Sequence, residues 1–226
     1  MRTRIFALIA GLVMAFPSFG GLESVSNQEA LNGLREALVT GTQYAVDALG
    51  KQDGFLGNSK VKIPLPESAQ KVEKVLRQFG MGKQADELIL TLNRAAEAAM
   101  PEAKALLVDS VRRMSVQDAK AILTGGQDSA TQFFKRTTSD QLRAKFLPIV
   151  KRATERVKLA QKYDEYAGKG VQFGLVKKED ANLDNYVTQK ALDGLFVMVA
   201  EQEARIRQNP AGAASSILKK VFGAMK

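Results

Sequence analysis

Cysteine, histidine and tryptophan occur nowhere in the 226 residues. Without histidine the usual proton-transfer group near neutral pH is missing, and without cysteine so is the most easily activated nucleophile. Both standard catalytic-triad classes are thereby excluded, together with zinc and copper centres built on imidazole or thiolate. No cofactor is expected. Disulfides are excluded as well, so stability has to come from a packed core. A lipid anchor needs an acylated cysteine behind its signal, and none is expected here. Past the N-terminus, no stretch approaches the roughly 20 apolar residues that cross a bilayer.

What is present begins with MRTRIFALIAGLVMAFPSFGG. Arg2 and Arg4 precede a twelve-residue apolar run, Ile5 to Phe16, and small residues follow at Ser18 and Gly20. This is the layout of a secretory signal peptide over residues 1–20, cleaved after Gly20. The expected product is one domain, residues 21–226, exported to the periplasm or beyond as a soluble protein. Without Arg2 and Arg4 there are 33 − 2 = 31 basic residues against 24 acidic ones, a net charge of +7. Residues 135–178 hold twelve of the basic residues and four acids, a balance of +8, so the remainder sums to −1. A field concentrated in this way attracts anions. For an exported protein these are anionic lipid, envelope polysaccharide, small phosphates or an acidic protein face. Nucleic acid would suit the charge but not the compartment, and is not expected.

The pattern along the chain predicts helices with marked stops. Ser26-Asn27-Gln28-Glu29 reads as a capping box, and Leu31, Leu34, Leu38, Ala45 and Leu49 then recur near helical spacing until Gly50. A long connection, residues 51–66, alternates as Val61-Lys62-Ile63-Pro64-Leu65, which suits a short extended segment. Helix resumes near Glu67, pauses at Gly80-Met81-Gly82, continues to Ala99, breaks before Pro101 and runs on to Val111. Ser115-Val116-Gln117-Asp118 opens a short helix that Gly125-Gly126 ends. Asp128 or Ser129 caps one or two further turns to Phe134, and Thr138-Ser139-Asp140-Gln141 reads as the capping box of a new helix that Pro148 kinks. Residues 167–178, AGKGVQFGLVKK, read as a glycine-rich connection in which Val171, Phe173 and Val176 form a short strand paired with Val61 to Leu65. A last helix runs from near Asp184 to Pro210, with Leu192, Leu195, Phe196 and Val199 on one stripe. The fold class is mainly α: a single-domain multi-helix bundle with room for one short β-hairpin.

Three motifs carry little. Ser216-Ile217-Leu218-Lys219 matches S-x-x-K without its companion elements. Gly168, Gly170 and Gly174 miss the dinucleotide spacing by one residue and read as a loop. The C-terminal SSILKKVFGAMK is amphipathic, suited to the protein's own core or to a membrane surface. Carboxylate pairs remain available for catalysis, although the acids sit mostly in caps or at charged helix positions, where solvated surface is the ordinary reading.

The stretch ILTGGQDSATQFFKRTTSDQL, Ile122 to Leu142, has two readings. As an anion site, Gly125 and Gly126 expose backbone N–H groups beside a new helix N-terminus, Thr124, Thr138 and Ser139 add hydroxyls, and Lys135, Arg136 and Arg143 add charge. As a helix corner, the glycines end one helix and the hydroxyls cap the next. Every unusual residue has such a local role, which favours the corner. A hydrolase or transferase using carboxylates and hydroxyls near residues 124–139 is the alternative to a binding function.

Gly54-Phe55-Leu56, Ile63-Pro64-Leu65-Pro66, Leu92-Asn93-Arg94-Ala95-Ala96-Glu97, Leu123-Thr124-Gly125-Gly126, Thr138 to Leu142 and Ala191-Leu192-Asp193-Gly194-Leu195-Phe196 fall in order along the chain. Together they resemble a bacterial family known only as domain of unknown function 4197. The resemblance implies an exported, mostly helical bacterial protein, and brings no assigned activity or catalytic residue.

Overall fold

The computed structural model describes residues 27–209, apart from 79, 81, 175, 178 and 179. The signal segment, Ser26 of the first capping box, the S-x-x-K match and the C-terminal amphipathic stretch lie outside the described residues. Those described form seven α-helices and no strand: α1 (Asn27–Gly50), α2 (Glu67–Gln78), α3 (Gly82–Arg112), α4 (Val116–Thr124), α5 (Ser129–Thr154), α6 (Lys158–Gln172) and α7 (Leu183–Gln208). The protein is a helical bundle.

Four long helices make a ring. α3 packs on α1 and α5, and α7 closes the ring by packing on the same two. Leu34, Leu49, Leu92, Met100, Leu107, Phe134, Phe146 and Leu195 fill the interior, each essentially inaccessible to solvent. α4 lies on α1 and α5, α2 on α3, and α6 touches α3 and α7. The apolar period along α1 sets its buried face as expected, and α7 buries its predicted stripe together with Met198, leaving Val197 exposed.

Two expected interruptions are absent. α3 passes through Pro101 without a break, and α5 through Thr138 to Gln141; α5 also carries Pro148 within it, as expected. Proline inside a helix costs about 3 kcal/mol, but here Ala99, Met100 and Ala103 flank Pro101, and Phe146 and Val150 flank Pro148, all fully buried. Core contacts on both sides outweigh the lost bond. The capping box at Thr138 is not formed, because each hydroxyl turns back into its own helix: Thr138 Oγ1 donates to the Phe134 carbonyl at 2.7 Å and Ser139 Oγ to Lys135 at 2.6 Å. Nor do the described residues of the glycine-rich connection hold a strand. α6 continues through Gly168, Gly170 and Val171 to Gln172, so those glycines are helical rather than a loop.

The extended segment at Val61 to Leu65 therefore has no strand partner, yet its alternation holds: Val61, Ile63 and Leu65 are buried while Lys62 and Pro64 are exposed. A side chain takes the strand's place. Buried Asn93 accepts from the Ile63 N–H at 2.8 Å and donates to the Ile63 carbonyl at 2.9 Å, as a neighbouring strand would. One turn along α3, buried Glu97 accepts the Phe55 and Leu56 N–H groups at 3.0 and 3.3 Å. Arg94 binds the other oxygen of Glu97 at 2.5 Å and reaches Asp53 at 2.8 Å. Phe55 is pressed against α7 at Gly194, where a Cβ would stand 2.7 Å from the ring, so only glycine fits.

Glu97→Ala would strand two backbone donors and leave Arg94 with Asp53 alone, and is expected to lower unfolding free energy by about 3 kcal/mol. Lys60→Ala, which removes an exposed partner of Glu201, should cost under ~1 kcal/mol. Urea denaturation of both variants checks the contrast.

Candidate functional site

The Ile122 to Leu142 stretch forms the corner between α4 and α5. α4 starts as its sequence predicts: Ser115 accepts the Asp118 N–H at 3.0 Å and the Asp118 carboxylate accepts the Ser115 N–H at 3.1 Å, a complete capping box. The Ser115 hydroxyl, 2.6 Å from the carboxylate, is the main cause holding Asp118 below the usual carboxylate range. α4 ends at Gly125, whose φ of −83° is open to any residue. Glycine is required there for a different reason. A Cβ would collide with Ser129 Oγ and stand 2.6 Å from the Ala121 carbonyl oxygen. Neither Gly125 nor Gly126 adopts positive φ.

The start of α5 bears on the anion reading. Asp128, at the N-cap position, makes no capping bond with its side chain. The cap comes from α7. Glu203, buried at its side chain to 5% exposure, accepts the Ala130 N–H at 3.0 Å, the Thr131 N–H at 2.9 Å and the Thr131 hydroxyl at 2.9 Å. Arg207 binds the same carboxylate at 2.8 Å and donates to the Ile122 carbonyl in the last turn of α4 at 2.9 Å. Free helix N-termini attract anions, and this one already holds an anion belonging to the protein.

The other sequence candidates do not converge. Thr124 donates to Lys120 within α4. Arg136 pairs with Asp118 at 3.1 Å and lies over Phe133, Lys135 lies over Phe196, and Arg143 reaches Gln189 of α7. Of the eight residues, Arg136 lines the open depression of about 440 Å³ at the corner, beside Asp118 and Asp128. An incoming anion would meet two carboxylates there and one arginine that is already paired.

A family model described as a protein of unknown function, DUF4197, matches residues 24–223. The chain belongs to this family. No curated protein and no solved structure matches it. The DUF4197 description assigns no activity, so any function has to be argued from geometry.

In this DUF4197 chain a larger open cleft, about 530 Å³, lies between the extended segment and α7, lined among others by Glu67, Gln70, Lys177, Tyr186, Gln189 and Lys190. Tyr186 donates to the Pro64 carbonyl at 3.1 Å, and burial pushes its phenol up to about 12, so at neutral pH it is a fixed donor and not a nucleophile. Arg143 touches this cleft's rim through Gln189. The sequence reading did not single out Tyr186 or Lys190, since both sit in a helical pattern with nothing to distinguish them.

Glu203→Ala is expected to destabilise the fold by about 3 kcal/mol, and Gly125→Ala by roughly 1–3 kcal/mol through overpacking. The triple change Lys135→Gln, Arg136→Gln, Arg143→Gln should stay within about 1 kcal/mol of the parent. Thermal and urea unfolding measure all three.

Proposed function

We propose that residues 21–226 act as one exported domain, released from a signal peptide at 1–20, that binds an anionic partner through the basic segment and catalyses no reaction. One observation carries this reading. Arg152, Arg156 and Lys162 are exposed, and none has an acidic partner among the described residues. They follow one another from the end of α5 into α6. Around them Lys145, Lys151 and Lys177 make only long pairs of 3.9 to 4.0 Å with Glu102, Glu155 and Glu67. Within the segment the anion-binding capacity thus lies at the α5–α6 junction rather than at Lys135 and Arg136, which have aromatic or acidic neighbours.

The hydrolase or transferase alternative loses support from the same geometry. Thr124, Thr138 and Ser139 donate into their own helices, and Asp118, held ionised by Ser115 and Arg136, is a weak proton acceptor. That no helix among the described residues is long and apolar enough to cross a membrane is consistent with a domain that meets its partner from the aqueous side.

Binding to dextran sulfate, followed by fluorescence anisotropy at low salt, tests the reading. Arg152→Gln, Arg156→Gln and Lys162→Gln together should weaken binding several-fold, with the difference fading as salt screens exposed charges beyond about 10 Å at 0.1 M. Equal binding by parent and triple variant would contradict it.

A further inference from the structure

Phe173, just past the end of α6, is 77% exposed, more than any other large apolar side chain among the described residues. Lys162 lies eleven residues earlier. At about 100° per residue, eleven steps return to within about 20°, so the two share one stripe about 16 Å long. The opposite face of α6 is committed to the bundle: Ala160 and Ala167 are buried, Tyr163 donates to the Asp180 carbonyl at 2.7 Å, and Asp164 accepts the Leu183 N–H at 2.8 Å. Arg156, exposed, stands two residues before α6, whereas Lys177, four residues beyond Phe173, pairs with Glu67 at 4.0 Å and lines the cleft beside Tyr186.

We propose that this face docks on an anionic lipid bilayer, with Phe173 entering the headgroup region and Arg156 and Lys162 against lipid phosphates. The proposal rests on the anion-binding reading above and names its partner. Charge and apolar exposure together select the occupant. The chain's own C-terminal stretch, residues 215–226, carries Lys219, Lys220 and Lys226, and would be repelled from a cationic face. A second copy would bring the same cations. A soluble anionic polymer would use the cations and leave Phe173 in water. A bilayer uses both, since aromatic rings settle at the headgroup level and nearby Lys and Arg are drawn to anionic lipid.

The absence of tryptophan makes a direct test available. Phe173→Trp introduces a single reporter into the chain as processed and recovered from cells. Its emission should shift to the blue with vesicles of phosphatidylcholine and phosphatidylglycerol, and stay unchanged with dextran sulfate. In co-sedimentation, Phe173→Ala should bind these vesicles roughly tenfold more weakly, and each of Arg156→Gln and Lys162→Gln roughly fivefold more weakly. Dextran sulfate binding should be untouched by Phe173→Ala. Because Phe173 is exposed, its replacement should leave the circular dichroism and melting curve of the parent intact. Unshifted emission at saturating vesicles, or vesicle binding by Phe173→Ala equal to the parent, overturns the proposal. So does vesicle binding that is lost on removing residues 210–226 and not on changing Phe173. Dextran sulfate binding without vesicle binding overturns this inference alone, while loss of both overturns the anion-binding reading with it.

Discussion

The ion pair of Glu203 and Arg207 ties three helices together at one point. Its carboxylate takes two backbone N–H groups and a hydroxyl at the start of α5, and its guanidinium takes a carbonyl at the end of α4. Two ends that a short corner leaves unsatisfied are thus closed by a residue pair one turn apart on α7. Burying such a pair costs several kcal/mol per ion in lost hydration, and the cost is met only when the remaining donors and acceptors are filled. Here the carboxylate is filled by five donors from two elements. The pair therefore fixes register: α7 cannot slide along α5 without taking buried Glu203 away from the three donors at the start of α5.

The same device appears at the other side of the ring. Glu97 takes two backbone N–H groups from the 51–66 connection, and Arg94 carries the charge outward to Asp53. Glu97 and Glu203 are the buried acids among the described residues, and each closes irregular backbone against a helix of the ring. This division bears on function. These two buried carboxylates act as fasteners, and the N-terminus of α5 is occupied from within. Among the described residues of the basic segment, Arg152, Arg156 and Lys162 near the α5–α6 junction are exposed without an acidic partner.

Local chemistry was legible in the sequence wherever it was decided locally. Ser115 and Asp118 are three residues apart, and their reciprocal cap forms as read. Gly125 ends α4, though for close approach to Ala121 and Ser129 rather than for positive φ. Thr138 to Gln141 has the same letters as a cap but sits between Phe134 and Leu142, both fully buried, and packing keeps the helix whole. Pro101 was misread for the same reason. Val61 to Leu65 showed its alternation, while its partner, an asparagine thirty residues on, left no signal. Glu203 was the least legible, since an acid in an arginine-bearing helix end reads as solvated surface, and its partners are 72 and 73 residues away. The candidate site was read from residues close in sequence, and α5, being one helix, points Lys135, Arg136 and Arg143 at separate partners.

The central claim is that Glu203 occupies the N-terminus of α5 as a ligand anion would. Amide hydrogen exchange at Ala130 and Thr131 tests it most directly. The first amides of a helix normally lack an acceptor and exchange quickly. With Glu203 accepting both, these two should exchange slowly, approaching the amides in the buried middle of α5. Exchange at the rate of an open helix start would show that the carboxylate is not bound there, and that the corner is held by something else.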